Sequence, residues 1–285
     1  MSGLTRFWMH LRKNIAGLLR LSDRKTAVHQ LETGLLTDTG CSREVNQDSI
    51  GVFRSPDGKA LVAVVADGMG GHQAGDIASR TAVETIQQNY FTLLRHATPE
   101  QALHRAFELA NTAIFALAQA QPEYRGMGTT LVALALHQSA SFANTGDSRL
   151  YQIRNDEIRQ LTEDHTLVAE MLQRGLIDAQ QAKNHPEKHI ITHAVGTAKK
   201  VHLDTAESPM GLQAGDYFVL CSDGLYDLVD PLEICDYATQ YPTQQACQEL
   251  VRLANARGGH DNISVIIIRV LPASSFKPNV PITRV

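Results

Sequence analysis

The chain reads as an α+β fold, and three observations carry that reading. Short β-type segments recur along the sequence, longer helical patterns come in separate groups, and consecutive strands are joined by tight polar turns such as residues 144–148. Tight turns imply antiparallel neighbours, because a parallel crossover needs a dozen or more residues. Grouped rather than alternating helices argue against a doubly wound sheet.

The elements follow in order from Gly34. Residues 49–53 and 61–66 are the first strands, apolar runs bounded by glycine, asparagine and aspartate. Helical patterns span 74–94 and 99–119, with Pro99 suited to a first turn, where its missing N–H costs no hydrogen bond. Strands at 129–136, 141–145 and 149–153 form the next group. A helical pattern over 164–174 opens a polar segment that reaches Gly196 and carries His185, Pro186, Lys188 and His189. A segment this long inside a compact domain usually has a purpose. A strand at 217–221, a helix at 243–256 and a strand at 263–270 complete the pattern.

These elements place one catalytic domain at residues 30–272, preceded by an extension, 1–29, and followed by an irregular proline-containing tail, 273–285. The first 25 residues set Arg6, Arg12, Lys13, Arg20, Arg24 and Lys25 against a single acidic residue, Asp23. Leu4, Phe7, Trp8, Leu11, Ile15, Leu18 and Leu19 recur at spacings of three and four, the pattern of an amphipathic helix. Such a face packs on its own domain, frays as a tail, or docks on a membrane surface or partner.

Composition narrows the function classes. With 43% hydrophobic and 20% charged residues, the 285-residue chain can bury a substantial core. A net charge of −4 argues against a nucleic-acid binder, which would be clearly basic. Cys41, Cys221, Cys235 and Cys247 are too scattered for a zinc knuckle or a disulfide scaffold, which fits a reducing cytoplasm. No apolar run reaches the roughly 18–20 residues needed to span a bilayer. The chain is read as a monomer.

Four aspartates share one context, a polar turn beside a strongly apolar segment. Asp67 opens Asp-Gly-Met-Gly-Gly-His, Asp147 lies within Asn-Thr-Gly-Asp-Ser-Arg, Asp223 opens Asp-Gly-Leu, and Asp261 closes Gly-Gly-His-Asp. One Asp-Gly pair alone is an ordinary turn. Several carboxylates converging on one pocket would repel and raise each other's pKa unless cations neutralised them. Oxygen ligands without clustered cysteine suit Mg²⁺ or Mn²⁺ better than zinc. Gly68 adds a backbone carbonyl that can approach closely.

The segments Arg43–Asp48, Val65–Gly71, Gly126–Thr130, Asn144–Arg149, Leu161–His165, Leu220–Leu225 and Gly259–Asn262, taken in this order, resemble the PPM family of metal-dependent type 2C protein phosphatases, and its bacterial branch in particular. The resemblance implies an αββα sandwich, two antiparallel sheets flanked by helix pairs with metals at one end. It implies that Asp67, Asp223 and Asp261 bind a first Mn²⁺ or Mg²⁺ ion, and that Asp67 bridges to a second ion completed by the Gly68 carbonyl. Asp48 acts through metal-bound water, Asp147 with Asp223 holds a third, weaker ion, and Arg43 binds the substrate phosphate. The implied chemistry is direct attack of an activated water on phosphoserine or phosphothreonine, opposing a bacterial kinase of eukaryotic type. Residues 164–196 resemble the family's flap.

Two positions depart from many eukaryotic members. Met69 stands where a histidine is thought to protonate the leaving group, and Gln47 stands where an acidic residue orders water at the second metal. His72 is read as a substrate contact or proton relay, with a structural imidazole as the alternative, and His260 as a support beside Asp261 rather than a ligand. An inactive regulatory module and a metal-dependent nuclease are the competing readings. Retention of Asp48, Asp67, Asp223 and Asp261 argues against the first, and net acidity against the second.

Overall fold

Two antiparallel sheets lie at the centre of the computed structural model, which describes residues 30–71, 74–206 and 208–272. The first runs in the order β1 (Gln30–Asp38), β12 (Ile263–Leu271), β11 (Tyr217–Cys221), β7 (Arg149–Arg154) and β8 (Glu157–Gln160). The second runs β10 (Met210–Gly211), β6 (Ser139–Thr145), β5 (Leu131–Leu136), β3 (Leu61–Met69) and β2 (Asp48–Arg54), with β4 (Gly128–Thr129) against β3 and β9 (Asp204–Thr205) against β6.

The continuous apolar runs have a simple cause: both faces of each sheet are covered. Side chains alternate across a strand, so Leu61, Ala63 and Val65 of β3 join the core between the sheets, while Val62, Val64 and Ala66 face the helices. On β12, Ile266, Ile268 and Val270 face the other sheet, while Ile263, Val265 and Ile267 face the second helix layer. Helices α1 (Ala74–Leu94) and α2 (Pro99–Ala120) cover one sheet, and α6 (Pro231–Gln240) and α7 (Thr243–Ala256) cover the other. Ala78, Ala82, Ala102, Ala106 and Ala110 bring α1 and α2 close to their sheet and to each other. The three cores define four layers, the expected αββα order.

The capping chemistry is local. Thr98 and Gln101 form a reciprocal capping box at the start of α2, with Pro99 in its first turn. Asp230 and Glu233 do the same for α6 around Pro231, a start signal present in the sequence although that helix was not anticipated. Also unanticipated are β1, β8, and the short helices α4 (Ala179–Lys183) and α5 (Asp223–Tyr226). The helix expected over 164–174 is α3 (Leu167–Gln173), because Thr166 caps it and leaves Asp164 outside. Strand β3 runs past residue 66, since Gly68 and Met69 pair with Thr129 and Gly128. Asp67 therefore lies inside a strand and not in a turn.

All four cysteines are free, Cys41 exposed and the others buried. The amphipathic segment anticipated within 1–29, the tail 273–285 and His72 lie outside the described residues.

Ile266 is fully buried between the sheets. Its replacement by alanine removes apolar contacts from both sheets and is expected to cost about 2–5 kcal/mol of unfolding free energy, read as a lower urea midpoint.

Candidate metal centre

Strand register, not sequence proximity, assembles the aspartates. Cys221 on β11 lies opposite both Arg149 on β7 and Val265 on β12. Asp147 precedes Arg149 by two residues, Asp223 follows Cys221 by two, and Asp261 precedes Val265 by four, so all three sit at the same end of one sheet. On the facing sheet, Asp48 and Asp67 are directly paired across β2 and β3. Ser222 joins the two sheets at this end: its hydroxyl donates to Asp48 Oδ2 at 2.8 Å and accepts from the Ser264 N–H at 3.0 Å.

Asp67 is held through its backbone. Its N–H donates to Thr130 Oγ1 at 2.9 Å, and its carbonyl accepts from the Thr130 N–H and the Thr129 hydroxyl, each at 2.8 Å. The next residue admits no side chain, because a Cβ on Gly68 would collide with the Gly75 carbonyl at the start of α1. Strand β3 and the first turn of α1 therefore meet backbone to backbone.

Burial makes these carboxylates costly to ionise. It is the largest influence on Asp48, Asp67, Asp147 and Asp223, and it raises the pKa of each. Neighbouring carboxylates raise them further: Asp223 and Asp261 act on Asp48, Asp48 and Asp223 on Asp67, and Asp223 on Asp147. Asp48 is pushed up to about 7, Asp147 to about 8 and Asp223 to about 6. Asp48 Oδ1 and Asp223 Oδ1 are buried without a hydrogen-bond partner. Buried, crowded, unpartnered carboxylate oxygens are donors suited to hard divalent cations.

Arg43 lies at the rim, 53% exposed, and its Nη2 donates to Asp261 Oδ2 at 2.9 Å. Held this way, it keeps guanidinium donors for a second acceptor. Met69 is part of β3, and His260 is exposed.

The fold has known counterparts. The family model for protein phosphatase 2C matches residues 41–264. The chain belongs to the protein phosphatase 2C family. It is 40% identical over 237 residues to the serine/threonine phosphatase Stp of Listeria innocua, covering 81% of this chain and 93% of that one. The structure of the Streptococcus agalactiae serine/threonine phosphatase superposes with a TM-score of 0.76 at 36% identity, covering 85% of this chain and all of that one. The catalytic domain of the phosphatase PstP, solved with two manganese ions, matches with a TM-score of 0.72 at 29% identity, covering 85% of this chain and 99% of that one. The chain is thus a bacterial-type serine/threonine protein phosphatase, a hydrolase.

Several residues that hold the candidate site in shape had no role assigned from sequence. Asn262 ties down the loop carrying Arg43: its side chain donates to the Thr39 and Val45 carbonyls at 2.9 and 3.1 Å and accepts from the Gln47 N–H at 2.8 Å. Arg149 grips Asp164 at the root of the flap with bonds of 3.0 and 2.6 Å and stacks over Tyr226. The Tyr226 hydroxyl donates to the Asp147 carbonyl at 3.1 Å. Asn262, Arg149 and Asp164 stand within motifs already singled out, so motif membership was the available signal.

A stability profile follows for the chelated phosphatase. Carboxylates with raised folded pKa values bind more protons folded than unfolded between about pH 4 and pH 8. Stability is therefore greatest at the acidic end of that window and falls as pH rises through the folded values. Urea midpoints should decline across it, and the decline should shrink in Asp48→Asn. A flat profile would contradict the electrostatic account.

Proposed function

We propose that this phosphatase hydrolyses phosphoserine and phosphothreonine on proteins with a pair of Mn²⁺ or Mg²⁺ ions held by its clustered aspartates. The observation that carries the reading is the convergence of Asp48, Asp67, Asp223 and Asp261 from two sheets, with unpartnered carboxylate oxygens on Asp48 and Asp223. Asp67, Asp223 and Asp261 would hold the first ion, Asp67 and the Gly68 carbonyl the second, with Asp48 contacting through water. Asp147 with Asp223 would hold a third, weaker ion. When bound, such ions lower the pKa of a coordinated water toward neutrality and offset phosphoryl charge.

The protein's own groups would do the rest. Arg43 stands at the rim with donors to spare and would take two phosphate oxygens, fixing phosphorus for in-line displacement. Ser222, Thr130 and Asn262 hold the carboxylates and the Arg43 loop in place before substrate arrives, so little reorganisation is left for the reaction. The Met69 thioether cannot donate a proton, so the leaving alkoxide must be protonated by another group or by solvent.

The partners proposed are phosphoproteins, including a kinase of eukaryotic type, and the compartment is the cytoplasm. Among the described residues no helix is long and apolar enough to cross a membrane. The basic, amphipathic pattern of residues 1–25 is proposed as a docking element for an acidic membrane surface or a partner protein.

Phosphate release from a phosphothreonine peptide should require Mn²⁺ or Mg²⁺ and stop with excess chelator. Asp67→Asn and Asp261→Asn should each reduce turnover by at least about 100-fold, the scale of a lost electrostatic contact to a transition state, with unchanged circular dichroism. Arg43→Ala should chiefly raise KM. Metal binding without phosphate release from any phosphopeptide would favour the regulatory module.

Deletion of residues 1–25 should leave hydrolysis of a small phosphopeptide intact and remove binding to anionic vesicles. Collapse of turnover or solubility would make the segment structural.

A further inference from the structure

We propose that Asn111 of α2 is a positioning residue of this phosphatase, fixing the segment that ends the flap against β4 and so setting the place of Asp67 and Gly68. Its bearing on metal rests on the two-ion reading above. Asn111 is 2% exposed and directs its whole side-chain amide at one stretch of chain. Its Oδ1 accepts the Gly196 N–H at 2.8 Å, and its Nδ2 donates to the Ala198 carbonyl at 3.0 Å and the Lys199 carbonyl at 3.4 Å.

The chain held in this way is the outer neighbour of β4. Val195, fully buried, exchanges both backbone hydrogen bonds with Thr129, at 2.9 and 3.0 Å. The next residue of the strand faces the other way: Thr130 donates its N–H to the Asp67 carbonyl at 2.8 Å, and the Thr129 hydroxyl donates to the same carbonyl. Two residues make too few bonds to fix a strand by themselves. Strand β4 therefore takes its position from β3 on one side and from Val195 on the other.

Residues 196–200 belong to no helix or strand, so no regular ladder holds their path. Gly196 lies against α2, where a Cβ would collide with Ile114, about one turn after Asn111. Gly196 is buried, and without Asn111 its N–H would lose its acceptor there, which is costly. The segment would then lift from α2 and leave β4 with one neighbour. Asp67 and the Gly68 carbonyl are the groups proposed for the second ion, so slack in β4 reaches both.

The test compares full-length wild type with Asn111→Ala. Alanine is the better helix former, so a loss cannot be charged to α2 itself. In metal-free protein, exchange of the Thr129, Thr130 and Val195 amides should accelerate by more than about 10-fold relative to the Val64 and Ala133 amides of the central sheet. Calorimetric titration should show Mn²⁺ bound about 10-fold more weakly, the scale of a lost outer partner. The Mn²⁺ concentration for half-maximal phosphopeptide turnover should rise in step, with turnover recovering at saturating Mn²⁺. Ile266→Ala, which also lowers stability, should keep wild-type Mn²⁺ affinity. If Asn111→Ala does not fold, Asn111→Ser carries the same comparison, because its one hydroxyl cannot span Gly196 and Ala198 together. Unchanged relative exchange, wild-type Mn²⁺ affinity in the Asn111 variant, or an equal loss in Ile266→Ala would overturn the proposal. Wild-type protein that binds no Mn²⁺ would instead sink the two-ion reading, and the exchange comparison would still decide whether Asn111 positions β4.

Discussion

Everything at the candidate metal end of this molecule is organised around crowded carboxylates, Asp48 and Asp147 buried and Asp67 and Asp223 largely so. Asp48, Asp67, Asp147 and Asp223 are each raised in pKa first by burial and then by one another. Such a cluster is unfavourable by itself, and it persists only because the sandwich is stable enough to hold it. Three layers of apolar packing, nearly all fully buried, provide that stability. The strain is concentrated where a cation would relieve it, which is how a functional site comes to differ from the rest of a core.

The scaffold is stiffest where the site needs it. Backbone bonds on both sides of Asp67, the Ser222 hydroxyl between the sheets and the Asn262 staple leave the ligand positions few alternatives. The flap is attached differently. Its C-terminal end is anchored by Val195, buried in the helix-side core and bridged to Thr129, and the rest is joined to the body at discrete polar points: Arg149 to Asp164, Lys188 to Asp227 at 2.8 Å, and His165 to Asp204. Val168 is the one buried residue of α3, so apolar packing contributes little there. Elements held by few contacts have low local stability and can open without global unfolding.

Legibility in the sequence followed the strength of the local signal. Helices α1 and α7 were anticipated at their observed bounds because long apolar periodicity leaves little choice. Strand β1 escaped notice because most of its residues are only partly buried and Gly34 interrupts it, yet that glycine is required where the strand meets the Thr243 backbone. The brevity of α5 left it no periodicity to read, and α6 offered only its capping box. The motif residues were visible, but their grouping came from resemblance.

The sequence by itself determined most of the longer strands and helices, that the chain is acidic overall, and which aspartates adjoin strongly apolar segments, since all of these are properties of neighbours along the chain. Only the tertiary structure decided that Asp48 faces Asp67, that Asp147, Asp223 and Asp261 share one end of a sheet, and that the rings of His165, His193 and His202 meet. The physical reason is register. Which residues lie opposite one another depends on hydrogen-bonded pairing between strands as far apart in the chain as β7 and β11, and no local pattern encodes that alignment.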